Sequence, residues 1–179
     1  SLQYCHPALD DIDGDGDLDL LVGGSSQMSL FRNVGTAESF DFSFESDTMV
    51  NTIGLYGLAP AFTDLDGDGD MEMVCGSNNG RLALFEKQVD GSSVSYVLQN
   101  SNYAGISLYE GSTCAFGDLD NDGDDDLIVS DKFGDTRRYE ASAAASPVYT
   151  IRGKPFGVFD FTTKTSAVAG DLSGDGVLD

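Results

Sequence analysis

A nine-residue acidic stretch that returns at near-constant spacing constrains this chain more than any other feature. Asp11-Ile12-Asp13-Gly14-Asp15-Gly16-Asp17-Leu18-Asp19 comes back as Asp64-Leu65-Asp66-Gly67-Asp68-Gly69-Asp70-Met71-Glu72 and as Asp118-Leu119-Asp120-Asn121-Asp122-Gly123-Asp124-Asp125-Asp126. A fourth copy, Asp171-Leu172-Ser173-Gly174-Asp175-Gly176-Val177-Leu178-Asp179, closes the series. The copies start 53, 54 and 53 residues apart. A period of that size marks a repeat architecture, in which each unit buries its apolar surface against its neighbours.

Oxygen ligands at positions 1, 3 and 5, a glycine at 6 for a sharp turn and a backbone carbonyl at 7 are what a short loop offers to a hard cation such as calcium. Without a cation, so many carboxylates in nine residues repel one another. In the first loop the side-chain ligands are expected to be Asp11, Asp13, Asp15 and Asp19, with the carbonyl of Asp17. The second offers Asp64, Asp66, Asp68 and Glu72 with the carbonyl of Asp70, and the third Asp118, Asp120, Asp122 and Asp126 with that of Asp124. In the fourth, Asp171, Ser173, Asp175 and Asp179 stand at the side-chain positions and Val177 at the backbone one, and the serine predicts weaker binding. One calcium ion per loop, up to four, is the cofactor expectation.

An EF-hand begins in the same way, but it needs a bidentate Glu at position 12 and flanking helices. Position 12 here holds Val22, Cys75 and Val129. The runs that follow the loops, Leu20-Leu21-Val22-Gly23, Met73-Val74-Cys75-Gly76 and Leu127-Ile128-Val129-Ser130, are short and apolar and stop at small residues, the pattern of buried strands. Each loop therefore ends at position 9 and feeds a strand.

Strand, Asp-x-Asp-Gly-Asp-Gly-x-x-Asp, then Leu-x-Val-Gly resembles the FG-GAP/VCBS repeats, blades of the calcium-bearing β-propellers found in integrin α-subunit heads and in many secreted or surface proteins. Pro7-Ala8 and Pro60-Ala61 before the loops, and Leu30-Phe31-Arg32-Asn33-Val34-Gly35 after one, are more similar to the VCBS variety. The resemblance covers nearly the whole chain and implies fold and metal, not a particular activity.

The fold expectation is thus all-β, with propeller blades of four antiparallel strands. Blade 1 is expected at 1–52, blade 2 at 53–105, blade 3 at 106–160 and the start of a fourth at 161–179. Three blades and a piece of another leave sheet flanks unpaired, so the expectation is a segment of a larger ring of about seven blades. In the first period strands are predicted over 4–9, 18–23, 28–33 and 40–45. The second should run 58–63, 71–75, 81–86 and 94–98, and the third 113–116, 126–130, 136–139 and 148–152. Phe31, Phe85 and Tyr139 stand 20 or 21 residues past each loop start and are expected to pack between blades. The 141–146 stretch, Ala-Ser-Ala-Ala-Ala-Ser, reads as a loose connection.

The 179 residues carry a formal charge of −22, and four calcium ions would still leave the sum at −14. Such a surface excludes nucleic acid and electrostatic attachment to anionic lipid as partners, and no apolar run is long enough for direct insertion into a membrane. Open loops of this kind fill best where calcium is near millimolar, which favours an extracellular or cell-surface setting. Cys5, Cys75 and Cys114 are too few and too irregular for a disulfide framework and are expected to be buried thiols.

No catalytic constellation stands out. His6, the one histidine, is expected to sit in a first strand, and no nucleophile elbow or paired base is present. The expected role is a non-enzymatic adhesion or recognition module for a protein or glycan ligand. The alternatives are a structural subunit that contacts neighbouring subunits of an extracellular filament or surface layer, and part of a polysaccharide-active enzyme.

Overall fold

The computed structural model describes residues 5–52, 54–91, 93–142 and 147–152. The predicted fourth unit and its loop residues Asp171, Ser173, Asp175, Val177 and Asp179 lie outside the described residues. Among the described residues twelve strands follow one another: β1 (His6–Asp10), β2 (Asp19–Gly23), β3 (Met28–Asn33), β4 (Phe42–Ser46), β5 (Ala59–Thr63), β6 (Glu72–Gly76), β7 (Leu82–Asp90), β8 (Ser93–Asn100), β9 (Thr113–Gly117), β10 (Asp126–Ser130), β11 (Thr136–Glu140) and β12 (Thr150–Ile151). They form three four-stranded antiparallel meanders, β1 to β4, β5 to β8 and β9 to β12. This layout fits propeller blades, and each sheet arises where the sequence predicts it. The β7–β8 hairpin is longer than predicted, because the ladder continues through Val89↔Val94 to Asp90↔Ser93 beside the positive-φ turn glycine Gly91.

The register shows how the blades stack. Side chains alternate across a strand, and in β6 both faces are covered, so all five of its residues are buried. Met73 and Cys75 join a core with Leu21, Leu30 and Leu58 of the first unit and its connection, while Val74 joins a second core with Leu108, Leu127 and Val129. The blades approach closely at Gly76, where an added Cβ would stand 2.2 Å from the carbonyl oxygen of Ser112. Gly23 meets the carbonyl of Leu58 in the same way. Only a residue without Cβ fits such a contact, which explains the glycine that ends the first two apolar runs.

Phe85 pairs with Met73 and is fully buried against the first blade, and Tyr139 pairs with Leu127 against the second. Phe31 pairs with Leu20 in the matching place, but no described element covers that flank. Phe31 packs instead edge-on against Phe44, with ring centroids 5.7 Å apart. Leu9, Phe40 and Phe44 on or beside the same flank are 53%, 72% and 58% exposed. The expectation that these aromatics pack between blades therefore holds for Phe85 and Tyr139, while Phe31 occupies the equivalent position with no neighbouring blade on that flank among the described residues.

Cys75 and Cys114 are buried thiols, and burial pushes both above the usual thiol range. Cys5 is exposed, contrary to expectation. It immediately precedes β1.

Candidate metal centre

Each acidic loop joins the first strand of a blade to the second, so the three described loops lie at one end of the three sheets. Position 1 organises the turn. Asp11 accepts backbone N–H bonds from Gly14 at 2.9 Å, Asp15 at 3.0 Å and Gly16 at 3.0 Å. Asp64 accepts from Gly67, Asp68 and Gly69 at 2.8, 3.2 and 3.1 Å, and Asp118 from Asp122 and Gly123 at 3.1 and 3.0 Å. The backbone must turn left-handed at position 6, where Gly16, Gly69 and Gly123 all have φ near +94°. Position 4 is also left-handed, and there Asn121 replaces the glycine of the other two loops, a substitution that asparagine tolerates better than most residues. Positions 5 and 7 continue the pattern: Asp15, Asp68 and Asp122 accept the N–H of Asp17, Asp70 and Asp124.

These turns bring carboxylates together. One oxygen from each of Asp11, Asp13 and Asp15 lies within 4.8 Å of the others, and the same holds for Asp118, Asp120 and Asp122. In the second loop the converging set is Asp64, Asp66 and Glu72. An all-oxygen donor set fits a hard divalent cation, and these clusters can hold a metal ion. Asp68, expected as a ligand, is not in that set. The backbone-donor positions Asp17, Asp70 and Asp124 contribute no carboxylate to the clusters.

Position 9 divides the loops into two kinds. Asp19 is 1% exposed and turned toward β3, where its Oδ1 accepts the Asn33 N–H at 2.8 Å and its Oδ2 accepts from the Arg32 guanidinium. Arg32 also reaches Asp13 Oδ2 at 3.2 Å, and its Nε donates to Glu45 at 2.8 Å. Asp126 repeats the arrangement with the Ala141 N–H at 3.1 Å and Arg138 at 2.7 Å, and Arg138 lies 3.5 Å from Asp120. In the second loop the longer Glu72 turns inward and accepts the Leu65 N–H at 2.8 Å. Sequence reasoning missed both arginines. The available signal was their rarity, since the chain has only nine Lys and Arg residues, and four of them, Arg32, Lys87, Arg137 and Arg138, stand in third strands.

Burial, followed by repulsion from Asp66, Glu86 and Asp68, pushes the Glu72 carboxyl up to about 7 in the ion-free chain, although the Leu65 N–H favours the charged form. A carboxyl raised in the folded state adds stability that is full below its ordinary value of 4.5 and is lost as pH rises through 7. In EDTA the melting temperature should therefore fall between pH 5 and pH 8, and Glu72→Gln should flatten part of that fall. Parallel profiles for the two proteins would show that Glu72 is not the strained group.

The profile of the FG-GAP-like repeat family matches residues 11–75 and 64–129. Each match starts on the first acid of one loop and ends in the strand after the next. No curated protein matches the chain significantly. The chain belongs to the FG-GAP-like repeat family.

Proposed function

We propose that this FG-GAP-like repeat chain is a calcium-stabilised, non-enzymatic module of an extracellular or surface protein that presents a rigid face to a protein or glycan ligand. The reading rests on one observation above others: three acidic clusters, each built from one contiguous loop, recur at the same place in three blades. Such loops tie the first strand of each blade to the second. A catalytic metal normally keeps an open position among distinct neighbours, and recurrence of an acidic cluster at the same place in each described blade argues for a structural ion instead. Calcium is the ion of choice because the donors are all oxygens in flexible, partly exposed loops, and millimolar calcium outside cells would fill them.

The recognition half of the reading draws on the opposite end of the sheets. There the connections before β5 and β9 carry Tyr56 and Tyr109, which is 79% exposed. Tyr109 stacks edge-on with Phe133 at 5.4 Å, and the Lys132 ammonium lies 5.0 Å from the Phe133 ring centre. Exposed aromatics on a hydrogen-bonded loop frame, with the Lys132 N–H donating to the Glu110 carbonyl and the Gly111 N–H to that of Asn78, suit a contact surface. No helix among the described residues is long and apolar enough to cross a membrane.

Screening the chain against immobilised glycans and matrix proteins in calcium should give saturable binding that Tyr109→Ala weakens and EDTA abolishes. Release of sugar from a polysaccharide, or recovery of the chain in calcium-dependent polymers without ligand binding, would replace this reading with an enzymatic or a filament-forming one.

A further inference from the structure

The three described loops differ in one respect that bears on the ion. In loops 1 and 3 an arginine from the third strand of the same blade touches both the position 3 and the position 9 acid, Arg32 on Asp13 and Asp19, and Arg138 on Asp120 and Asp126. Loop 2 has no such cation. At the place of Arg32, 54 residues on, the second blade carries Glu86, and at the place of Arg138, 54 residues back, it carries Leu84. Lys87 is the one basic side chain paired with this loop among the described residues, and it binds the Asp70 carboxylate at 3.3 Å, outside the converging set of Asp64, Asp66 and Glu72.

We propose that the loops are graded by built-in counter-ions: loop 2 is the tight cation site, and Arg32 and Arg138 weaken loops 1 and 3 for the ion while holding them together without it. The inference rests on the reading of these loops as calcium sites. A guanidinium a few ångströms from a divalent ion repels it, and the same arginine draws charge from two of the carboxylates that the ion would use. Loop 2 has the opposite balance. Its converging acids, joined by Glu86 close by, have no basic partner among the described residues, so its affinity is higher and its ion-free form the least settled of the three. The Arg32 head is 14% exposed and fixed on its other side by Glu45, so it cannot swing freely into water when an ion arrives.

Calorimetric titration of the full chain with calcium should show one equivalent that binds at least ~10-fold more tightly than the sites in loops 1 and 3, as expected for a unit charge beside a divalent ion at a partly exposed site. Asp66→Asn should remove that tight phase, and Asp13→Asn should leave it intact. Arg32→Gln should raise the affinity of loop 1 about tenfold and lower the melting temperature in EDTA. If Arg32→Gln does not fold without the ion, Glu86→Arg gives the reciprocal test, since it should weaken the tight phase. Equal affinities in the unaltered chain, a tight phase that survives Asp66→Asn, or Glu86→Arg that leaves the tight phase unchanged would overturn the grading while the calcium reading stands. No uptake of calcium at all would instead overturn the calcium reading beneath it.

Discussion

Phe85→Ala is expected to destabilise the calcium-loaded protein by about 3–5 kcal/mol, whereas Phe31→Ala should cost only about 1 kcal/mol. The two residues occupy the same register position in successive blades. Phe85 is fully buried between the first and second blades, beside Met73, Leu21 and Leu30. Its removal gives up the transfer energy of the ring and leaves a cavity between two sheets that a close-packed interior cannot fully collapse. Phe31 lies on the flank that no described element covers, and its main partner is the Phe44 ring. Little beyond that edge-to-face contact is lost when it is truncated. Denaturant unfolding of both variants in calcium checks the difference, and losses of equal size would show that the flank of the first blade is as well covered as that of the second.

That contrast also shows how far the sequence could be read. The strands were legible because their composition and the loop spacing agreed, and each observed strand lies within a few residues of its expected place. The turn chemistry was legible too, since position 6 demands a left-handed residue and holds glycine in every described loop. What the sequence did not disclose was which face of each strand meets which neighbour. Register and stacking decide that, and they put Cys75 and Val74 into different cores although they are adjacent in the chain. The candidate site was readable as loops and only partly as ligands. Spacing placed an acid at position 9 of every loop, but Asp19 and Asp126 are held against the third strand by Arg32 and Arg138 while Glu72 joins the converging set, and a consensus pattern carries no information about partners from a third strand. Glutamate is one methylene longer than aspartate, and in the second loop that length lets position 9 reach the cluster.

The account stands or falls on whether the loops hold ions that hold the blades. An ion that binds only the folded chain stabilises it by about 2.7 kcal/mol at a concentration of 100 Kd and by about 1.4 kcal/mol at 10 Kd. One tight and two weaker described loops in millimolar calcium would together contribute about 5–6 kcal/mol, and for a chain of this length each kcal/mol shifts the melting temperature by about 2–4 °C. Scanning calorimetry of the whole chain in 1 to 2 mM calcium (about the level to which such open loops respond) and again in EDTA tests this directly. The account predicts a melting temperature roughly 10–20 °C higher with calcium, rising further as calcium is added. A melting temperature that stays the same in calcium and in EDTA would contradict it.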